Sequence, residues 1–141
     1  MTRRSFAKDL PSYVLLMLGF VDLLRGVLHT FFIDWANRTF AHLDLSANGA
    51  DQLVLLSVFG ISNFLTGFIY ILISRRAGQL SEVVLLLIPF AYGLGWLGMQ
   101  DAGVRPQADF YGRYFVLGYL GICLATPIVS RVCRDRSTAA T

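Results

Sequence analysis

Four long apolar runs alternate with short polar connections along the chain. They are Tyr13–Ile33, Leu53–Ile73, Val83–Gln100 and Tyr114–Ser130, and the last three hold no charged residue. A hydrocarbon layer of ~30 Å, at about 1.5 Å of rise per helical residue, asks for about 20 apolar residues. The pattern therefore predicts transmembrane helices near residues 12–33, 52–74, 82–100 and 111–130, with residues 131–141 left as a tail. The expected fold is all-α: a polytopic integral membrane protein, one four-transmembrane-helix bundle with short loops over residues 1–141. Nearly the whole chain is used by the spans, and no room remains for a soluble domain.

The first run is interrupted by Asp22, Arg25 and His29, at i, i+3 and i+7. On a helix these three share one face with Leu15, Leu18 and Phe32. An ionisable group at the centre of a membrane helix costs roughly 2.5–3.5 kcal/mol on insertion scales, so it faces protein or water. Two readings follow. Either Asp22 and Arg25 neutralise each other and lock the bundle, or the triplet lines a site.

The second run carries its own stripe, Gly60, Asn63, Gly67, Tyr70 and Ser74. Small residues let membrane helices approach closely, and an amide bonds across the contact. In the third, Pro89 removes a backbone donor, and Gly93, Gly95 and Gly98 thin the outer half around Trp96. In the fourth, Gly118, Gly121 and Ala125 form another small-residue seam, suited to a neighbouring helix or a second copy. The second helix runs opposite to the first, which brings Asn63 to the depth of Asp22. Trp96 and Gln100 from helix three, with Arg113 and Tyr114 from helix four, fall at the outer mouth. The expected ligand-binding set is thus Asp22, Arg25, His29, Asn63, Trp96, Gln100, Arg113 and Tyr114, lining one outward-opening cleft. Arg25 and Arg113 would give it an anion-attracting character.

Local signals set the ends. Pro11 suits the first turn of helix one, where its missing N–H costs nothing. Ala36, Phe40 and Leu43 recur as a short interfacial helix, with Trp35 at the aromatic belt. Asn48-Gly49 marks a turn, Asp51 is placed to cap helix two, and Ser81 to cap helix three ahead of Glu82. The short link at Arg75–Gly78 predicts an antiparallel hairpin of helices two and three. Arg105-Pro106 breaks the last outer loop, Asp109 is placed to cap helix four, and the tail after Arg136 is expected to be disordered.

Composition agrees with a membrane protein: of 141 residues 55% are hydrophobic and 15% charged, against roughly 25% charged in soluble domains. The basic residues are unevenly placed. Arg3, Arg4, Lys8, Arg75, Arg76, Arg131, Arg134 and Arg136 fall on one side of an even-numbered bundle, which puts both termini in the cytoplasm. The net charge of +3 reflects that bias and points to no nucleic acid. Thr2-Arg3-Arg4-Ser5-Phe6 resembles a twin-arginine signal, but no cleavage motif follows and three further spans do. Eleven arginines against one lysine suggest a GC-rich bacterial genome, and the expected location is the bacterial inner membrane.

Little catalytic chemistry is indicated. His29 and His42 are too few to hold haem or metal, and Cys123 and Cys133 form no metal spacing and lie at different depths. No nucleophilic triad, phosphate-binding glycine loop or cofactor motif is present, and no catalytic residue is assigned. The four-span layout, the Arg25-Gly26 pair and the glycine-spaced second helix at Gly60 and Gly67 resemble the DoxX-like small bacterial membrane proteins. This chain has Asn63 where an acidic residue is expected in their second span. The resemblance implies a bacterial four-helix bundle and a link to respiratory or redox membrane complexes. Three functions stay open: a membrane protein that binds or transports a small ligand or ion, an accessory subunit of a larger membrane complex, and a membrane enzyme on a lipophilic substrate. Partners are the bilayer and either a second copy, as a dimer, or another membrane protein.

Overall fold

The computed structural model describes residues 3–46, 48–104 and 112–138. Its long helices are α1 (Arg3–Phe31), α3 (Gly49–Arg76), α4 (Ser81–Asp101) and α5 (Gly112–Thr138), with a short α2 (Ile33–Ala36) between the first two. All four long helices have the length and apolarity to cross a bilayer, and no strand occurs among the described residues. The molecule is an all-α integral membrane protein.

The packing order differs from the chain order. α1 is central, laid against α3 along most of its length and against α5 on another side. α4 packs chiefly on α5, and α3 and α4 make little contact beyond the turn that joins them. The expected α3–α4 hairpin is therefore a sequence neighbourhood without a helix–helix interface. Two sets of bonds at the end of the bundle where α4 begins explain the swing of α4. Glu82 in its first turn accepts from Arg131 Nε at 2.9 Å and Arg134 at 3.2 Å on α5, and the Ser81 hydroxyl sits 3.3 Å from that of Ser12 on α1.

The α1–α3 interface is built on glycines. A Cβ on Gly67 would lie 2.8 Å from the Gly19 carbonyl oxygen, and one on Gly19 would lie 3.0 Å from that of Gly67. Gly26 takes the ring of Phe64, and Gly60 takes His29 and Thr30. The stripe from Gly60 to Ser74 faces α1 throughout: Gly60, Asn63 and Gly67 are buried, Tyr70 joins the core, and the Ser74 hydroxyl donates to the Ser12 carbonyl at 2.8 Å. Backbone contact of this kind is what stabilises membrane helices in place of a hydrophobic drive. The apolar core lies further in, where Leu15 and Leu18 meet Leu85, Ile88, Tyr119 and Cys123.

α4 stops packing at Pro89. Its buried stripe is Ser81, Leu85 and Ile88, and from Phe90 through Val104 every residue is exposed. A Cβ added at Gly93, Gly95 or Gly98 would meet no neighbouring atom, nor would one at Gly118 or Gly121 of α5.

Several ends differ from the sequence expectation. Pro11 lies inside α1, about two turns past its start, because the helix already runs from Arg3. α3 begins at Gly49 behind Asn48 in the left-handed region (φ 54°), which places Asp51 in the first turn instead of at the cap. Ser81 caps nothing, its hydroxyl being turned to Ser12. α5 continues to Thr138, so residues 131–138 of the expected tail are helical, held by the two arginines that reach Glu82. Arg105-Pro106 and Asp109 lie outside the described residues.

The expected interfacial element is α2 followed by a π turn at Asn37–Ala41. It is tied by Asn37, whose Oδ1 accepts the Leu43 N–H at 2.8 Å, and by the Trp35–Phe40 edge contact at 5.4 Å. In the loop after it, the Ser46 hydroxyl and N–H hold the Asp44 carboxyl below its ordinary range.

Candidate functional site

Asp22 sits two residues past residue 20, the midpoint of the Asp9–Phe31 span, and is only 4% exposed. Its carboxylate joins three helices. Oδ1 accepts from Arg25 of α1 at 3.3 Å, while Oδ2 accepts from Thr66 of α3 at 3.2 Å and from the Tyr119 hydroxyl of α5 at 3.2 Å. Glycine-mediated closeness of α1 and α3 makes the Thr66 bond reachable for a short side chain. The ion pair with Arg25 is internal to α1, an i,i+3 contact.

The guanidinium of Arg25 lies between two rings, 5.3 Å from the centroid of Phe59 on α3 and 5.6 Å from that of Phe115 on α5. Cation–π attraction of this sort is worth about 0.5–2 kcal/mol and rises with desolvation. Among the described residues, the hydrogen bond to Asp22 is the one Arg25 makes, though its fork carries five N–H donors. Phe59 also meets the His29 ring at 5.5 Å, so one phenyl separates the cation from the imidazole.

From this node toward the C-terminal end of α1, the α1–α3 seam holds three buried polar atoms without a hydrogen-bond partner among the described residues. They are His29 Nδ1, Thr30 Oγ1 and Asn63 Nδ2. Asn63 as a residue is 6% exposed. Its place is fixed by the stripe it belongs to: Gly60, one turn before it, abuts His29 and Thr30, and Thr66, one turn after it, reaches Asp22. The seam thus runs Thr30–His29, Asn63, Arg25, Asp22 from the C-terminal end of α1 to its middle.

The structure brings together four of the eight expected residues: Asp22, Arg25, His29 and Asn63. The other four are elsewhere. Trp96 and Gln100 stand on the exposed C-terminal half of α4. Arg113 is exposed, donating to the Tyr114 hydroxyl at 2.8 Å and lying over its ring, and Tyr114 is exposed with it. Arg113 therefore adds no positive charge to the node, which is a neutral Asp22–Arg25 pair. Tyr70 and Tyr92 extend the polar groups near Tyr119 toward α4.

Sequence reasoning missed Thr66, Tyr119, Phe59 and Phe115. A signal existed for two of them. Thr66 continues the Gly60–Ser74 stripe at i+3 from Asn63, and Tyr119 lies deep in a span, away from the interfacial belt where tyrosines concentrate. No group of three or more His, Cys, Asp or Glu side chains among the described residues is placed to hold a metal ion. Comparison with models of protein families, with characterised proteins and with solved structures finds no match to this chain.

Proposed function

We propose that this protein binds a small ligand within the membrane, in the α1–α3 seam beside the Asp22–Arg25 pair. The observation that carries the reading is the group of partnerless buried atoms at His29, Thr30 and Asn63. A buried donor or acceptor left without a partner costs about 1–3 kcal/mol, and native structures tolerate few of them. Here three lie on one seam next to a guanidinium with unused donors. A ligand that bonds to them recovers that cost. Asp22 then serves as the anchor that fixes Arg25, with Thr66 and Tyr119 tying the anchor to α3 and α5. The basic residues Arg75, Arg76, Arg131 and Arg134 cluster at the end where Ser12 meets Ser74 and Ser81, which supports reading that end as the cytoplasmic one and the other end of the seam as facing the outside of a bacterial inner membrane.

The test is chemical extraction. The protein is purified in a mild detergent without added lipid, and bound molecules are identified by mass spectrometry. The reading expects one lipophilic species near equimolar amount, lost in Asn63→Leu. Equal recovery of the same species from both proteins would reject it.

A second reading, packing on a membrane partner, has its own observation: the outer half of α4, glycine-rich and exposed on every side. Gly93, Gly95 and Gly98 leave hollows between the large side chains of this stretch, and a second helix can approach closely there. A second copy is one such partner, using this face or the open Gly118 and Gly121 face of α5. Native mass spectrometry separates the cases: a dimer mass, reduced to monomer by Gly118→Leu with Gly121→Leu, supports self-association, and a monomer mass in the unchanged protein rejects it.

A further inference from the structure

We infer that the seam takes an uncharged, lipophilic molecule bearing a hydrogen-bond acceptor, of the ketone, ester or amide carbonyl kind, in preference to an anion. The inference rests on the ligand-binding reading above and names the class of ligand. Three features lead to it.

First, the unused capacity is for donation. An asparagine Nδ2 and a guanidinium only donate, and Asn63 Nδ2 is buried with no partner while Arg25 uses one bond, to Asp22. His29 Nδ1 and Thr30 Oγ1 adapt, since an imidazole nitrogen and a hydroxyl take either role. The complement of such a set is an acceptor.

Second, the charge is already balanced. Asp22 faces Arg25 on its own helix, and the groups presented to it from α3 and α5 are the hydroxyls of Thr66 and Tyr119, with Tyr70 and Cys123 beyond. His29 is the remaining titratable group on the seam, facing Arg25 across Phe59. With Asp22 and Arg25 cancelling, an added carboxylate or phosphate leaves a net negative charge in the middle of the bilayer, beside another carboxylate. A neutral carbonyl adds none. Desolvation of an uncompensated charge at this depth outweighs the stronger bond an anion makes.

Third, the walls are apolar. Phe59 and Phe64 of α3 and Phe31 of α1 surround the seam, Phe31 and Phe64 stacked edge-on at 6.4 Å, and Phe31 and Phe59 are exposed on the bilayer side. A molecule reaching the donors from the hydrocarbon passes these rings. Its body must therefore be soluble in lipid.

The test uses three probes of matched chain length on the full protein in nanodiscs. They are 2-tridecanone labelled with ¹³C at the carbonyl, laurate at about pH 9, where it is ionised, and tridecane as a hydrocarbon competitor. The expected result is a saturable downfield shift of the ketone carbonyl resonance, the mark of a hydrogen bond in place of bare lipid. That shift is lost in Asn63→Leu, reduced in the near-isosteric Thr30→Val, and kept in Gly118→Ala, whose site has open space around it. Tridecane fails to displace the ketone, and laurate binds more weakly by roughly tenfold or more. Melting curves establish that each variant is folded, and Thr30→Val carries the test if Asn63→Leu is not. Laurate binding more tightly than ketone, in an Asn63- or Thr30-dependent manner, overturns the uncharged class and leaves the seam as a site. A ketone resonance that does not saturate, or that ignores both substitutions, overturns both, leaving a resident water as the sole occupant.

Discussion

Asp22 and Arg25 are the charges farthest from the ends of the four spans, and removing them one at a time and together measures what the node contributes. Asp22→Leu leaves the Arg25 guanidinium, whose side chain is 16% exposed, with no counter-charge. Breaking one half of a buried ion pair typically costs about 3–5 kcal/mol. Two smaller effects adjust this. Tyr119 loses its partner, whereas Thr66 keeps backbone acceptors at Ser62 (3.2 Å) and Asn63 (3.1 Å) and loses little. Interhelical hydrogen bonds in membranes average about 0.6 kcal/mol by double-mutant cycles, so Tyr119 adds about that much. The two phenyl rings still hold the cation and return some of the loss. The sum for Asp22→Leu is about 4 kcal/mol.

Arg25→Leu costs less, about 2–3 kcal/mol, because the carboxylate retains the Thr66 and Tyr119 hydroxyls and can also take up a proton, while arginine cannot lose one. The double variant should lie within about 1–2 kcal/mol of the parent, since replacing both members of a buried pair by apolar groups is often neutral. The coupling between the two sites is then about 4–6 kcal/mol. The assay is reversible unfolding in bicelles, by denaturing detergent or steric trapping, on all four proteins, together with the extracted ligand. The seam reading expects the double variant to be folded and to have lost the ligand. Additive single effects, with coupling below about 0.5 kcal/mol, would show that water already screens the pair and would refute the closed node.

The glycine interface gives a second test: Gly67→Ala places a methyl 2.8 Å from the Gly19 carbonyl oxygen and should destabilise by about 1–3 kcal/mol, whereas Gly95→Ala, in open space, should not; equal effects in the same unfolding assay would contradict the packing. Glu82→Gln should lower stability by less than about 1 kcal/mol per ion pair lost, because Arg131 is 63% exposed, yet it should speed amide exchange over residues 131–138; unchanged exchange there would mean the pairs do not hold the end of α5. Reporter fusions at Gly78 and Ala140 should read cytoplasmic and one at Asn48 external, and an external reading at Ala140 would reverse the orientation.

How much of this was legible depends on which interactions are local. Span positions follow from apolar length alone, and the Gly60–Ser74 stripe is readable because small residues at helical spacing have few other uses in a membrane. Asp22, Arg25, His29 and Asn63 stand out because polarity in mid-span is costly wherever it occurs. The packing order was not legible. It is set by long-range bonds, Ser12 with Ser74 and Ser81 and Glu82 with Arg131 and Arg134, each of which joins residues more than forty positions apart and reads locally as a cap, a dipole charge or a topology signal. The same bonds moved α4 off α3, and with it Trp96 and Gln100 out of the expected site.

That displacement bears on how the fold could admit anything to the seam. Among the described residues, two sets of cross-helix polar bonds lie at one end: the Ser12 group, and the Glu82 clamp on α5. The apolar core of Leu15, Leu18, Leu85, Ile88 and Cys123 lies between that end and Asp22. From Asp22 toward the C-terminal end of α1, α1 and α3 are held by glycine contacts at Gly26 and Gly60 and carry polar atoms without partners among the described residues, and α4 has no buried residue beyond Ile88. Stability is therefore graded along the bilayer normal, firm at the basic end and weak at the other. Local opening is cheapest where buried contacts are fewest. An opening of α1 from α3 starting at Thr30 and His29 would expose Asn63 and the outer side of Arg25 while leaving the carboxylate, its two hydroxyl donors and the inner core in place. Asp22 marks the depth at which such an opening stops.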